Sequence, residues 1–175
     1  YRQSVEIRRR IYDEGHPDLI NGLNNFGNAL NNAGERREAR LVFDEALEKA
    51  LRRLGPDSPM VGMLLINFGE LERFEEHHDE ARSYFKRSMD TFDRGKLARL
   101  DSFRSGALTG LGRLAQSEGR LDESISCFRQ AYEIYQLEPG ISDIDPTPEY
   151  LDVLREAGRI TEAKQVEAPT KRGKP

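Results

Sequence analysis

The sequence repeats itself at intervals of 42 and 43 residues, and this periodicity limits the possible folds more than any other feature. A shift of 42 residues brings Asn25-Phe26-Gly27 onto Asn67-Phe68-Gly69. A further shift of 43 residues brings Phe68-Gly69 onto Leu111-Gly112. A fixed period of this length is typical of a solenoid, in which one unit of supersecondary structure stacks on the next.

Each period contains two segments in which apolar residues recur at helical spacing, separated by a short turn that contains Gly34 in the first period. Neither helix can bury its apolar face alone, so we expect the two to pair as a hairpin and the hairpins to stack. The shared positions are Leu23, Phe26, Gly27, Leu30, Ala39, Phe43 and Ala46, then Leu65, Phe68, Gly69, Glu72, Ala81, Phe85 and Ser88, and finally Leu108, Leu111, Gly112, Ala115, Ser124, Phe128 and Ala131.

This skeleton resembles the tetratricopeptide repeat, in which a Leu-Gly pair precedes an Ala-x3-Phe pattern. The junctions His16-Pro17-Asp18 and Leu54 to Pro59, together with Leu23 to Phe26, make it similar to the 42-residue repeat of kinesin light chains. Similar long repeats occur in bacterial signalling proteins. The resemblance implies an all-α fold, a right-handed α-solenoid of stacked antiparallel helix hairpins whose first helices line a concave groove.

The register divides the chain into a single repeat domain over residues 1–167 and a polar tail that we expect to be disordered. Because the chain begins at Tyr1 rather than Met, we interpret it as a fragment or a processed product, opening on the second helix of a truncated repeat. The expected units are residues 1–14 (the truncated repeat), 16–55, 58–94 and 97–137 (three full repeats), a proline-rich linker, 147–167 (a short capping repeat) and 168–175 (the tail).

Three glycines in register indicate where the helices of each hairpin approach most closely. Gly27, Gly69 and Gly112 occupy the same position in the three periods, although glycine costs about 1 kcal/mol relative to alanine inside a helix. We therefore expect small residues such as Ala39 opposite them, and the phenylalanine of each second helix, such as Phe43, between hairpins. The aromatic stripe is predicted to be core rather than a cofactor site.

Asparagine recurs along one side of the first helix of the first repeat, although it is a poor helix former. Because an amide both donates and accepts hydrogen bonds, such a stripe suits binding of an extended peptide main chain; the alternative is simple solvation. Asn25 recurs as Asn67, which resembles the asparagine ladder of kinesin light chains, whereas Gly110 stands at the third such position. The stripe consists of Asn21, Asn24, Asn25, Asn28, Asn31 and Asn32.

Charged residues continue the predicted groove beyond the asparagines. Arg73 and Arg113 could pair with an acidic group of a ligand, and Glu70 lies beside them. Phe74, Gln116 and Ser117 are expected on the same face, and the last unit supplies Glu149, Asp152, Arg155 and Glu156. The predicted groove therefore runs from neutral amides through arginines to an acidic end.

Composition and motifs argue against several functions. The net charge of −4 gives no indication of nucleic-acid binding, and no apolar run is long enough for a membrane span. A single cysteine, Cys127, favours a reducing compartment, hence the cytoplasm. His16 fits the turn pattern, while the adjacent His77 and His78 lack the helical spacing of a metal site. We therefore expect no enzyme activity, metal or cofactor.

Two non-catalytic functions fit these observations. In the first, the chain is a protein–protein interaction module that binds an extended peptide or partner segment in the groove. In the second, it is a regulatory or oligomerisation arm of a larger signalling protein, for example one with a kinase or nucleotide-binding module. The second draws on the first helix, in which Tyr1, Val5, Ile7 (or Ser4) and Ile11 are expected to face inward. Because the partner helix of this half-repeat is missing, Val5, Ile7 and Ile11 should offer an apolar face for self-association or a neighbour.

Overall fold

A computed structural model describes residues 1–12, 15–95, 101–137 and 145–167, and its described residues are 85% helical with no strand. The expected proline-rich linker lies mostly outside the described residues, as do the tail and the join at residues 96–100. The described helices are α1 (Arg2–Ile11), α2 (Pro17–Asn32), α3 (Arg36–Leu54), α4 (Pro59–Phe74), α5 (His78–Arg94), α6 (Asp101–Ser117), α7 (Leu121–Leu137), α8 (Thr147–Glu156) and α9 (Ile160–Glu167).

The helices pack as successive antiparallel hairpins, α2 with α3, α4 with α5, α6 with α7 and α8 with α9. Each second helix also contacts the first helix of the next hairpin, and α2 contacts α4, which in turn contacts α6. Helix α1 packs on α2. This arrangement confirms the predicted all-α solenoid of stacked hairpins and places the first helices side by side.

Side-chain hydrogen bonds define where two of the first helices, α2 and α4, begin. A side chain caps α2 and α4, since His16 Nδ1 accepts a hydrogen bond from the Asp18 N–H at 3.2 Å and Ser58 Oγ accepts one from the Met60 N–H at 3.3 Å. Pro17 follows the first cap, at a position where a helix has no use for the missing N–H. Both caps fix the first helix directly after a loop.

One turn geometry joins the two helices of every hairpin. In the first turn the Glu35 N–H donates to the Leu30 carbonyl at 2.9 Å, and Gly34 between them has φ of 82°. This is the left-handed C-terminal stop that favours glycine. The equivalent bonds run from His77 to Glu72 (2.9 Å), from Arg120 to Ala115 (2.8 Å) and from Arg159 to Leu154 (2.8 Å).

The repeated glycines make room for the repeated phenylalanines. A Cβ atom on Gly27 would lie 2.4 Å from Cε1 of Phe43, and one on Gly69 would lie 2.6 Å from Cε1 of Phe85. The Phe85 ring also reaches the next hairpin, because a Cβ on Gly110 would lie 2.3 Å from it. The phenylalanines are fully buried, which confirms that the aromatic stripe is core. The nearest atoms to Gly27 and Gly69 belong to the ring of the same hairpin rather than to the small residue expected there, and Phe85 also contacts the first helix of the next hairpin.

Helix α1 differs from its prediction in orientation. Val5 is 3% exposed and packs in the core with α2, as expected. Ile7 and Ile11, which were predicted to face inward, are 55% and 68% exposed, and Tyr1 is 72% exposed. The register fixed by Val5 turns Ile7 and Ile11 outward, because residues two and six positions along a helix lie on the side opposite to it.

Candidate functional site

The side chains of α2, α4, α6 and α8 that lie on the side away from the second helices form the candidate site, here called the first-helix face. Four cross-helix contacts join its helices in series, from α2 to α4, from α4 to α6 and, twice, from α6 to α8. Its members considered below are Asn21, Asn24, Asn25, Asn28, Asn32, Asn67, Glu70, Arg73, Arg113, Gln116, Glu149, Asp152, Arg155 and Glu156.

The predicted pair of ladder asparagines is connected through a third asparagine. Asn67 Nδ2 donates to Asn24 Oδ1 at 2.7 Å, and Asn24 Nδ2 lies 3.5 Å from Asn25 Oδ1. Asn24 is only 4% exposed, so its expected role as an open groove residue is wrong: the amide is used to join α2 to α4. Asn31 is also buried, and its Oδ1 has no hydrogen-bond partner.

The other asparagines of α2 remain available to a partner. Asn21, Asn25 and Asn32 are exposed and Asn28 is half-buried. Apart from the long contact between Asn24 and Asn25, none of these four amides makes a side-chain hydrogen bond within the described residues. All seven asparagines of the chain lie in α2 or α4, which concentrates this chemistry at one end of the first-helix face.

Close packing explains why the asparagine ladder does not extend to α6. Gly110 occupies the third ladder position and is buried against the Phe85 ring. The 2.3 Å separation from a Cβ atom at this position leaves no room for any side chain without a shift of the ring. The amide surface therefore ends at α4 for a packing reason.

The two arginines predicted to bind an acidic ligand are already paired within the chain. Arg73 donates from Nε and Nη2 to Glu70 Oε2 at 3.0 and 2.8 Å, while Arg113 Nη1 lies 3.3 Å from Glu70 Oε1. Arg113 Nε also donates to Glu149 Oε1 at 3.0 Å. Burial alone would lower the pKa of Arg113, but the charges of Glu70 and Glu149 outweigh it and raise that pKa. Both guanidiniums are thus already engaged by carboxylates of the chain.

The acidic end of the face is present as predicted, and part of it is paired. Gln116 Nε2 donates to Glu156 Oε2 at 2.6 Å, which adds a second contact between α6 and α8. Arg155 bridges Asp152, at 3.2 Å, and Glu167. Glu156 has no ion pair within the described residues, so its charge is uncompensated.

An arginine clamp between successive hairpins was missed by the sequence reasoning. Arg40 on α3 lies 2.8 Å from Glu72 and 3.0 Å from Glu75, at the end of the next first helix. Arg82 on α5 reaches Glu118 in the same way, at 2.6 Å. The sequence contains a pattern that could have predicted this clamp, because each of the two arginines follows a Glu-Ala pair that recurs at the 42-residue spacing.

One group of side chains among the described residues has the composition of a cation site. Ligand atoms of Glu72, Glu75 and His77 lie within 4.8 Å of one another. The guanidinium of Arg40 contacts both carboxylates and supplies the positive charge that a metal would bring. Burial alone would raise the pKa of Glu72, but hydrogen bonds from His77 and Arg40 outweigh it and lower that pKa. We interpret the group as part of the clamp.

The lone thiol lacks the surroundings of a nucleophile. Cys127 is partly buried on α7, and burial raises the pKa of its thiol above the usual value, with the nearby charge of Glu123 acting in the same direction. A raised pKa lowers the thiolate fraction, and the thiolate is the reactive form. No helix among the described residues is long and apolar enough to cross a membrane.

The fold and the face define a class of protein, a helical-hairpin solenoid with a polar surface along its first helices. Two family models described as "Tetratricopeptide repeat" match residues 24–94 and residues 105–136. Together these two segments cover more than half of the chain. The chain therefore belongs to the tetratricopeptide repeat family, and its architecture is the right-handed α-solenoid of that family.

Solved structures of kinesin-light-chain type have a similar fold. BtubC (BKLC) from P. vanneervenii superposes with a TM-score of 0.67 at 18% identity, over 91% of this chain and 68% of that one. A putative kinesin light chain from Podosopora anserina with nearly identical TPR-like repeats superposes with a TM-score of 0.62 at 16% identity, over 98% and 85% of the two chains. No curated protein matches the chain significantly.

Proposed function

We propose that the chain is a non-catalytic, cytoplasmic interaction module that binds an extended peptide or partner segment on the first-helix face. Tetratricopeptide repeats generally mediate protein–protein interactions. The resemblance to this family implies that the first helices line a concave groove. The observation that carries the proposal is the stripe of amides on α2 that have no strong partner of their own. Asn25 and Asn28 could each accept and donate to a main chain.

Binding should be tested with peptides selected from a random library on the immobilised chain. Asn25→Ala with Asn28→Ala should weaken binding of the selected peptides by about 1–3 kcal/mol, because each lost hydrogen bond contributes about 0.5–1.5 kcal/mol. Thermal stability should stay equal or rise, since alanine is the better helix residue. Ser83→Ala, at an exposed position of α5, is the control. Unchanged affinity in the double variant would contradict the proposal.

A second candidate is a regulatory or oligomerisation arm of a signalling protein that acts through α1. The observation that favours it is the exposure of Ile7 and Ile11, which with Gln3, Arg8 and Tyr12 line an open cleft of about 480 Å³. Exposed apolar patches of this kind often mark interfaces. On this account a second copy covers the cleft, and light scattering should show association that Ile11→Asp abolishes. A monomer at high concentration would contradict it.

A further inference from the structure

We infer that the partner segment is uncharged where it crosses α2 and carries a basic side chain where it reaches α6 and α8. This inference rests on the proposed function, because it assigns the chemistry of the segment that the first-helix face binds. It reverses the expectation that the arginines of the face would select an acidic ligand. The charges on the face and their pairing lead to it.

The arginines cannot serve an acidic ligand without losing their present partners. Glu70 is shared, since one of its oxygens accepts two hydrogen bonds from Arg73 and the other accepts from Arg113. The side chains of Glu70 and Arg73 are only 16% and 18% exposed. A ligand carboxylate would therefore compete with a partly buried ion pair held by two hydrogen bonds, and it would repel Glu70.

The end of the face formed by α2 offers almost no charge to a ligand. Asp18, in the first turn, is the single charged residue of α2, and the stripe consists of amides. Uncharged donors and acceptors match the N–H and C=O groups of an extended main chain. A charged side chain placed there would lose hydration and gain no opposite charge in return.

The rest of the face, on α4, α6 and α8, carries an excess of negative charge. Four carboxylates, those of Glu70, Glu149, Asp152 and Glu156, stand against three guanidiniums, those of Arg73, Arg113 and Arg155. The excess is located on α8, because the hydrogen-bond partner of Glu156 is the neutral amide of Gln116. A lysine or arginine of the bound segment would find its opposite charge at Glu156.

The test is the net charge of the random-library peptides that the chain enriches. Wild type should enrich sequences that are uncharged over most of their length and have a lysine or arginine toward one end. Glu156→Gln should weaken binding of those peptides by about 1.5- to 5-fold, the effect expected of one exposed ion pair, and more at low salt. Glu70→Gln removes the ion pair of Arg73 and one of the two ion pairs of Arg113. The freed positive charge should shift the enriched peptides toward acidic sequences. Glu133→Gln, an equal charge change on α7, is the control and should alter neither result.

The outcomes separate the inference from the proposed function. Enrichment of acidic peptides by wild type, or an unchanged preference in Glu70→Gln, would overturn the inference and leave a peptide-binding module standing. Enrichment that is equal in wild type and in the variant with Asn25→Ala and Asn28→Ala would overturn the proposed function, and the inference with it. Enrichment of peptides with a lysine or arginine toward one end, in a way that depends on Glu156, would support both, whereas enrichment of peptides without a basic residue would overturn the inference.

Discussion

Glu76 adopts a left-handed backbone conformation where the other hairpin turns have glycine. Its φ is 61°, while Gly34, Gly119 and Gly158 at the equivalent positions have φ of 82°, 72° and 70°. A side chain in this conformation costs about 1–2 kcal/mol, whereas glycine adopts it freely. The turn of the second hairpin thus holds local strain that its neighbours avoid.

Replacing this residue should therefore stabilise the protein. We expect Glu76→Gly to raise the free energy of unfolding by about 0.5–1 kcal/mol, the relief of strain less the added entropy of the unfolded chain. Chemical denaturation measures the change. Gly119→Ala, the reverse change at an equivalent position, should lower stability by a similar amount. Two variants that unfold like wild type would contradict the assignment of strain.

The asparagines of the face differ in what they do for the fold. Asn67→Ala should lower stability by about 1–3 kcal/mol, because it leaves the buried Oδ1 of Asn24 without its 2.7 Å partner. Asn25→Ala removes only a long contact from an exposed residue and should be neutral or slightly stabilising. Thermal melting of the two single variants tests this. Equal effects would mean that the link between Asn24 and Asn67 does not form.

At the scale of elements, the packing of each hairpin depends on a phenylalanine ring of the second helix that lies against a glycine of the first helix. Gly69→Ala in the wild-type chain should be destabilising, since the added Cβ would lie 2.6 Å from the Phe85 ring. Phe85→Ala alone should cost about 3–5 kcal/mol through the cavity it leaves.

The combination of the two changes is the informative measurement. In the Phe85→Ala background the clash is gone, and Gly69→Ala should become stabilising because alanine is the better helix former by about 1 kcal/mol. A double-mutant cycle reports this coupling directly. Additive effects of the two substitutions would show that the ring and the glycine are not in contact.

The arginine clamp formed by Arg40, Glu72, Glu75 and His77, between α4 and α5, should make the stability of the protein depend on pH. The hydrogen bond to Glu72 raises the pKa of His77 above its ordinary 6.5, with further help from Glu75 and Glu80, while Arg40 and His77 together lower the pKa of Glu72 below 4.5. The histidine's contribution is present below about pH 6.5 and is lost as pH rises through its raised pKa. The Glu72 contribution is present above about pH 4.5 and is lost as pH falls through its lowered pKa.

The pair should therefore stabilise the protein most between about pH 4.5 and 6.5. The melting temperature of wild type should fall as pH rises above about 6.5, and His77→Gln should show a smaller fall. Glu72→Gln should reduce the same pH dependence, because it removes the partner of the imidazole. A His77→Gln variant with the wild-type pH profile would exclude this assignment.

For the whole molecule, the sequence was sufficient to predict the features that recur with each repeat, namely the helix hairpins and their buried positions. Gly69 and Phe85 were placed correctly because buried positions of stacked repeats recur at the repeat spacing. The pairing of Arg113 with Glu70 and Glu149 could not be predicted, because it depends on the distance and the angle between neighbouring first helices. Asn24 shows the same limit, since helical spacing puts it on one stripe with Asn25 and only the neighbouring helix α4 decides which is buried.

The central claim is that the working surface is the first-helix face, and photo-crosslinking tests it most directly. A photoreactive phenylalanine would replace the exposed Asn21 on that face, Leu41 on the exposed side of α3, or Ile11 on α1; Leu41 and Ile11 are 70% and 68% exposed. The probe is the tightest peptide selected on the wild-type chain. We predict crosslinks from position 21 and none from positions 41 and 11. Crosslinks from position 41 or 11 without any from position 21 would contradict the account.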